Sequence, residues 1–423
     1  MTSTQDPPRQ AAPTGRVPLF ERPERRPAGL RTAWRDLGPQ YVSNGILGVV
    51  FSASGPVAVT LAVGTAGGLA QEQLASWVFG MFLSAGLATA VMSLVYRQPL
   101  GFAWSIPGTV LVGPSLQHLS FAEVVGAFFG CGVLVLALGM SGLVRRVMAL
   151  IPMPIIMAMV AAVFLRFGTD VVDAARDNPV VAGPMVAAYV LLAAVPTLGR
   201  VLHPVMGTLV VGVAAVVLSG QGRPTAPGPL FAAPVFTLPE FTWSAQAELV
   251  VPLAITVLFV QNGQGIAVLR AAGHRPPVTS FTVASGAFSV LNAGVGAVSA
   301  CVTGPTNALL TGTGERERQY TAALVYAVLS LGCAVAAPAL VRFMLATPEA
   351  FVLALGGLAM LRALLQAFVA AFSTTFTMGA LVTFVVTVSG LDLLNLHSAF
   401  WGILVGYTVS RLLERRDHAA LAG

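Results

Sequence analysis

The chain contains no lysine: all 23 of its basic residues are arginine, distributed among loops and tails. Charge of either sign is scarce, at 9% of 423 residues, while 56% are hydrophobic. A soluble domain carries roughly 25% charged residues, so this composition, with a mean hydropathy of +0.81, excludes a soluble globule and points to a polytopic membrane protein. The net charge of +6 indicates no nucleic-acid partner, because the arginines form no single patch. Cys131, Cys301 and Cys333 are the only cysteines; they lie in apolar segments without metal-ligand spacing and read as small buried side chains. No Ser/His/Asp constellation, metal cluster or phosphate-cradling glycine loop is present. His118, His203, His274, His397 and His418 are scattered at span ends and in loops. Neither an enzyme nor a bound cofactor or metal is expected. No cleavable signal sequence is visible, and residues 1–38, polar and rich in Pro and Arg, read as a disordered cytoplasmic tail.

Charge is missing above all from the apolar segments, where one costs about 2.5–3.5 kcal/mol at the bilayer centre. Glu123 and Glu248 lie near span ends. Asp170, Asp173, Asp177 and Asp392 are expected in outer loops, and Glu315 and Glu317 in a solvated inner run. No buried carboxylate offers itself as a proton carrier.

What is present is a long series of apolar runs. A span needs about 20 apolar residues, fewer where a helix is broken. The first half divides into Gln40–Val63, Gln73–Val95, a broken Phe102–Leu116, Phe121–Leu143, Val147–Arg166, Val181–Leu198 and Pro204–Leu218. The second divides into Ala247–Leu269, Val278–Ala293, a broken Val298–Gly312, Tyr320–Phe343, Ala350–Leu361, Ser373–Val388 and His397–Leu412, with Leu361–Phe372 read as an interfacial helix because Arg362 interrupts it. The expected fold is therefore all-α, with about 14 transmembrane segments in two inverted seven-span repeats, residues 39–219 and 247–412. Residues 220–246 join the repeats and 413–423 form a second cytoplasmic tail. With both termini inside, 19 of the 23 arginines fall on the inner side, as the positive-inside rule requires.

The chain is organised around Ser299–Gly312, SACVTGPTNALLTG, which cannot be one ordinary helix. Gly304-Pro305 breaks the backbone ladder, and Pro305 suits the first turn of a new half-helix. The same pattern (hydroxyl, any, Pro, any, polar, any, Leu) stands 198 residues earlier at Ser105–Leu111, against Thr303–Leu309. Paired interruptions at matching places in two halves point to a transporter's binding site near the bilayer midplane. Two half-helix N-termini provide N–H donors and partial positive charge for a small anion. Ser105, Gly108, Thr109, Thr303, Gly304, Thr306 and Asn307 form the candidate set there. A second polar concentration, Gln261, Asn262 and Gln264, supplies amides that donate and accept at once. Phe102 and Trp104 are expected to cover a substrate ring.

These residues carry a resemblance. Phe259–Pro277 (FVQNGQGIAVLRAAGHRPP), Ala103–Leu111 (AWSIPGTVL), Arg318–Ala323 (RQYTAA) and the run ending in SAFWGILVG at Gly406 resemble the benzoate:proton symporter (BenE-type) family, and the likeness extends from Leu37 to Leu412. That family is similar in organisation to the uracil/xanthine and sulfate permeases. The resemblance implies a core domain (about 39–144 plus 247–343) moving against a gate domain (about 145–219 plus 348–412), and a site between the broken helices and the eighth span. It places Gln261 where uracil-type relatives have a substrate-binding acidic residue. It implies proton-coupled uptake of a small organic anion, benzoate or a related carboxylate, across the inner (plasma) membrane, and it is compatible with a homodimer through the gate domain. The chain departs from the pattern after the second Gly-Pro, where Thr306-Asn307 replace an acidic residue and a nearby histidine. Alternatives are a same-fold transporter of a nucleobase or inorganic anion, a non-coupled channel, or a non-transporting scaffold.

Overall fold

The computed structural model describes residues 20–195, 204–223, 228–373, 375–391, 393 and 398–422. The chain runs α1 (Leu30–Asp36), α2 (Pro39–Ala53), α3 (Gly55–Ala66), α4 (Gln71–Tyr96), β1 (Phe102–Trp104), α5 (Ile106–Ser115), α6 (Phe121–Ser141), α7 (Leu143–Leu150), α8 (Met153–Asp177), α9 (Pro179–Ala194) and α10 (Pro204–Leu218). Next come α11, helical over Trp243–Ala271 and widened into π turns at Gln246–Val250 and Thr256–Gln261, and α12 (Val278–Gly294). The remaining elements are β2 (Ala300–Val302), α13 (Gly304–Leu310), α14 (Tyr320–Val335), α15 (Ala337–Ala346), α16 (Glu349–Phe372), α17 (Thr377–Val388), α18 (Ser398–Leu413) and α19 (Arg415–Ala422). Among the described residues six helices, or seven if the bent α14–α15 pair is one span, are long and apolar enough to cross a membrane. The protein is a helical, multi-pass membrane protein.

Pairing of β1 with β2 sits at the centre. Proline cannot continue a helix that reaches it from upstream, so Pro107 and Pro305 each sit in the first turn of a new half-helix, and the residues ahead, Phe102–Ser105 and Ala300–Thr303, run extended. An extended piece leaves its backbone donors and acceptors open, which is costly away from water. The two pieces therefore close on each other, antiparallel, with Phe102 opposite Val302, Ala103 opposite Cys301 and Trp104 opposite Ala300. Their outward groups are met by neighbouring helices: Phe102 N–H donates to Thr89 Oγ1 (2.8 Å), Ala300 N–H to Ser289 Oγ (3.0 Å), and the Tyr326 hydroxyl to Phe102 O (3.0 Å).

Around this pair α6 packs on α12, α4 on α14, and α2 on α14. A second set of contacts links α8 with α16 and α17, α9 with α10, and α17 with α18. The α17–α18 contact depends on small residues: a Cβ on Gly406 would meet the Thr383 hydroxyl and lie 2.7 Å from Gly379 O. The hydroxyl can rotate away; the carbonyl cannot. Gly406→Val is expected to destabilise the protein by about 1–3 kcal/mol through overpacking, read as a lower midpoint in detergent thermal melts, with Val405→Ala on the partly exposed side near neutral.

Several expectations are corrected. Within the supposed disordered tail, Phe20–Gly38 is docked: the Glu21 carboxylate accepts from Thr279 N–H (2.7 Å) and Ser280 N–H (2.8 Å), capping α12, and Ala28 N–H donates to Leu94 O (2.9 Å). A polar composition did not reveal this because the partners are the open N–H groups of a helix end. The expected span Val147–Arg166 is instead the amphipathic α7 followed by α8, whose last turns carry Asp170, Asp173 and Asp177 in helix rather than loop. The Tyr320–Phe343 span bends by 84° between α14 and α15, where Pro338 removes a donor. Ala350–Leu361 and the expected interfacial piece are one helix, α16: Arg362 sits on its exposed side close to Tyr189, so the long side chain leaves the apolar face unbroken. The last tail residues form α19, and Glu414 accepts from Met378 N–H (2.7 Å) at the start of α17. Residues 1–19, Arg200, Asp392 and His397 lie outside the described residues.

Past the end of α11, His274 is buried and its Nε2 lies 2.7 Å from Gln319 Oε1, whose amide is fixed by Thr311 O and Thr313 O. Burial holds the imidazole below its ordinary value, with Arg316 adding to the effect against the opposing Gln319, Glu317 and Glu24. The unfolded chain therefore protonates first as pH falls. The stability His274 contributes is fully present above about pH 6.5 and is lost as pH drops through its folded value. Melting midpoints from pH 8 to 5 should decline, and more gently in His274→Gln.

Candidate substrate site at the crossing of two broken helices

The two half-helices leave the strand pair from opposite ends. Ser105 N–H donates to Ser299 O (3.1 Å), continuing the register, so the N-caps Ser105 and Thr303 stand roughly 13 Å apart, four residues at about 3.3 Å each. Helix α11 runs past both. At Ser105 its Thr256 hydroxyl lies 3.2 Å from Ser105 Oγ; at the other end Asn262 Oδ1 accepts from Val302 N–H (2.8 Å). Gly265 permits this approach, since a Cβ there would lie 2.6 Å from Val302 O. The π turn Thr256–Gln261 alters the angular spacing just ahead of the amides, a feature often found at functional sites.

Every candidate residue is buried: Gln261 (3% exposed), Asn262, Gln264, Thr303, Thr306 and Asn307 at one end, Ser105, Gly108 and Thr109 at the other. The two ends differ in what is free. Ser105 Oγ caps its own helix by accepting from Gly108 N–H (3.1 Å), and the Thr109 hydroxyl donates to Ser105 O (3.1 Å). A side chain on Gly108 would strike Ser105 Oγ and Leu253. The Ser105 and Thr109 hydroxyls of this end are satisfied within it.

Asn307 is engaged as well. Its amide group donates to Gly101 O (2.8 Å) and Thr303 O (2.7 Å), and its Oδ1 accepts from Gly101 N–H (2.9 Å). It clamps the start of β1 to the second half-helix, a scaffold role. Thr306 lies beside the Tyr326 hydroxyl. Trp104 is buried, its ring edge-on to Phe82 with centroids 5.1 Å apart and its indole N–H without a partner.

Four polar atoms at the second end have no partner: Gln261 Oε1, Asn262 Nδ2, Gln264 Nε2 and Thr303 Oγ1. Thr303 is the N-cap of α13 yet makes no capping bond. Gln264 and Gly304 are in contact, a Cβ on Gly304 falling 3.0 Å from Gln264 Oε1. A buried polar group left unsatisfied costs about 1–3 kcal/mol, so three on a single turn of α11 and a fourth at the N-cap of α13 form an arrangement suited to a polar ligand. The set offers three donors and one acceptor without a formal charge.

Sequence reasoning marked both helix breaks, which the structure shows. It missed Thr256, Tyr326 and Phe164, whose Cζ lies 3.5 Å from a Gly304 Cβ position. Thr256 precedes Gln261 by five residues, a π rather than α spacing, and Phe164 arrives from a distant helix with no local signal.

A family model described as "Benzoate membrane transport protein" matches residues 35–412. The chain is 27% identical over 390 residues to the inner membrane protein YdcO of Escherichia coli, covering 90% of this chain and 98% of that one. It is 27% identical over 384 residues to the benzoate membrane transport protein of Acinetobacter baylyi, covering 89% and 96%. Among solved structures, the transmembrane domain of the cyanobacterial bicarbonate transporter BicA superposes with a TM-score of 0.58 at 13% identity over 90% of this chain and 98% of that one. SLC26A9 superposes with a TM-score of 0.53 at 14% identity over 87% of this chain, which spans 64% of that longer protein. At these identities the structural likeness concerns the fold.

Proposed function

From the premise that this chain belongs to the benzoate membrane transport protein family, a family of membrane transporters and not of enzymes, we propose that it is a secondary active transporter taking up benzoate or a related small aromatic carboxylate with a proton. The observation that carries this reading is the set of unpartnered atoms at Gln261, Asn262, Gln264 and Thr303. A carboxylic acid is their complement: its two oxygens accept from the amide and hydroxyl donors, and its O–H donates to Gln261 Oε1. The proton then rides on the cargo, which accounts for a site without a titratable side chain. The Gly304 and Thr306 backbone at the start of α13 adds partial positive charge for the ionised form, and Ser105, Gly108, Thr109 and Asn307 hold the frame.

The same reading takes the chain as 14 spans in two inverted repeats. Shifting by 198 residues carries Phe102 onto Ala300, and both N–H groups donate to a hydroxyl of the preceding helix, Thr89 and Ser289. The helix contacts support it too: exchanging the halves turns the α6–α12 contact into α14–α4, and α9–α10 into α17–α18. The core (about 39–144 and 247–343) and gate (about 145–219 and 348–412) follow the two contact sets described above, and alternating access is movement of one against the other. The protein resides in the inner membrane with both termini cytoplasmic, and a homodimer would form through the gate.

Uptake of labelled benzoate into proteoliposomes, with and without an inward proton gradient, tests the proposal. Saturable uptake accelerated by the gradient, and not competed by unlabelled nucleobases or inorganic anions, is the expected result. Absence of uptake by demonstrably folded protein, or full competition by a nucleobase, overturns it.

A further inference from the structure

Helix α8 belongs to the second contact set, yet two of its aromatic side chains reach breaks in the first. Phe167 lies against the interruption between α2 and α3: its ring is 5.4 Å from Phe51, edge-on, and its Cε1 is 3.9 Å from a Cβ position on Gly55. Phe164, three residues earlier and so on the same face of α8, is fully buried with its Cζ 3.5 Å from a Cβ position on Gly304. Gln264, one of the unpartnered amides, approaches the same position. Only a glycine leaves room for both neighbours, because a Cβ would come within 2.8 Å of Gln264 Cβ. The Phe164 ring is thus the apolar surface that the opposing helix set presents to the polar end of the site.

We infer that Phe164 is a specificity-determining residue, the gate-side wall against which the aromatic ring of the cargo rests and whose bulk limits ring size. This rests on the carboxylate-transport reading above. The polar atoms around Gln264 and Thr303 fix the carboxyl end of a substrate, and a planar ring extending from them meets Phe164 in the stacked or edge-on contact that aromatic pairs favour. A wall of this kind discriminates by volume: removing it relieves the clash with a larger ring and withdraws contact from a smaller one, on the order of tenfold or more in a hydrophobic pocket. Phe167 has no such role, since Phe51 and Gly55 occupy its face.

The test is competition of labelled benzoate uptake by unlabelled benzoate and 2-naphthoate in proteoliposomes bearing wild type, Phe164→Ala, Phe164→Leu or Phe167→Leu. Phe164→Ala should move the ratio of inhibition constants at least tenfold toward naphthoate, Phe164→Leu by less, and Phe167→Leu not at all. If Phe164→Ala does not fold, Phe164→Leu decides alone. A ratio unchanged in the folded Phe164 variants, or moved equally by Phe167→Leu, overturns the inference. Failure of the underlying reading looks different: wild type itself then takes up no benzoate, and both proposals fall together.

Discussion

Replacing Gln261 by methionine is expected to lower benzoate uptake about tenfold or more while leaving the melting midpoint unchanged or slightly raised. The two halves of this result come from one fact. Gln261 Oε1 is buried and makes no hydrogen bond, so the resting protein gains nothing from it. Methionine conserves volume, avoids a cavity and removes an unsatisfied acceptor. Loss of a hydrogen bond to the cargo, worth about 1.5 kcal/mol, corresponds to roughly a tenfold loss of affinity. Gln264→Met should behave alike. Gln261→Ala should also lose uptake, with some stability lost to the cavity. Radiolabel uptake and thermal melts on the same preparation check both halves. Wild-type uptake in Gln261→Met and Gln264→Met together would remove these amides from the site.

Asn307→Ala should do the reverse, and its effect is the largest expected for any polar side chain in the region. The substitution strands Gly101 O and takes one partner each from Gly101 N–H and Thr303 O, which keep Pro99 O (3.1 Å) and the Asn307 N–H (3.2 Å); all are buried. At about 1–3 kcal/mol for the orphaned carbonyl and about 1 kcal/mol for each of the two other bonds lost, the sum is a few kcal/mol, a large share of the total stability of many domains, about 5–15 kcal/mol. The variant is expected to lose its monodisperse peak in size-exclusion chromatography or to melt far below wild type, and uptake should fall with folded protein rather than per folded molecule. Asn307→Asp should not rescue it, because it lacks the two donors. A well-folded Asn307→Ala with selectively weakened substrate affinity would return this residue to the binding set.

The contrast between Gln261 and Asn307 marks where sequence reading ran out. Both are buried amides close to a broken helix, and residue type alone assigns them the same chemistry. Their difference lies in which backbone groups come to meet them. Gly101 is 206 residues away from Asn307 and arrives only because β1 pairs with β2. Likewise Thr303 and Ser105 occupy equivalent positions in the repeated motif, yet Ser105 caps its helix and Thr303 does not. The symmetry of the motif is legible in the chain; its breaking is a property of packing.

Composition settled the class of protein, since a chain with 9% charged residues and 56% hydrophobic ones has no soluble solution. The Pro-containing motifs settled where two helices had to break, because proline's missing donor and the clash of its ring with the preceding turn act locally. Segment boundaries failed where a local signal was outvoted: Arg362 remained inside α16 because it lies on the exposed side of the helix, and Phe20–Gly38 is ordered because Glu21 finds the open end of α12. Tertiary structure alone decided which of the buried polar atoms stay unpartnered and which aromatic ring faces them. Burial satisfies a polar group only through a neighbour in three dimensions, and Phe164 lies 140 residues from the glycine it covers.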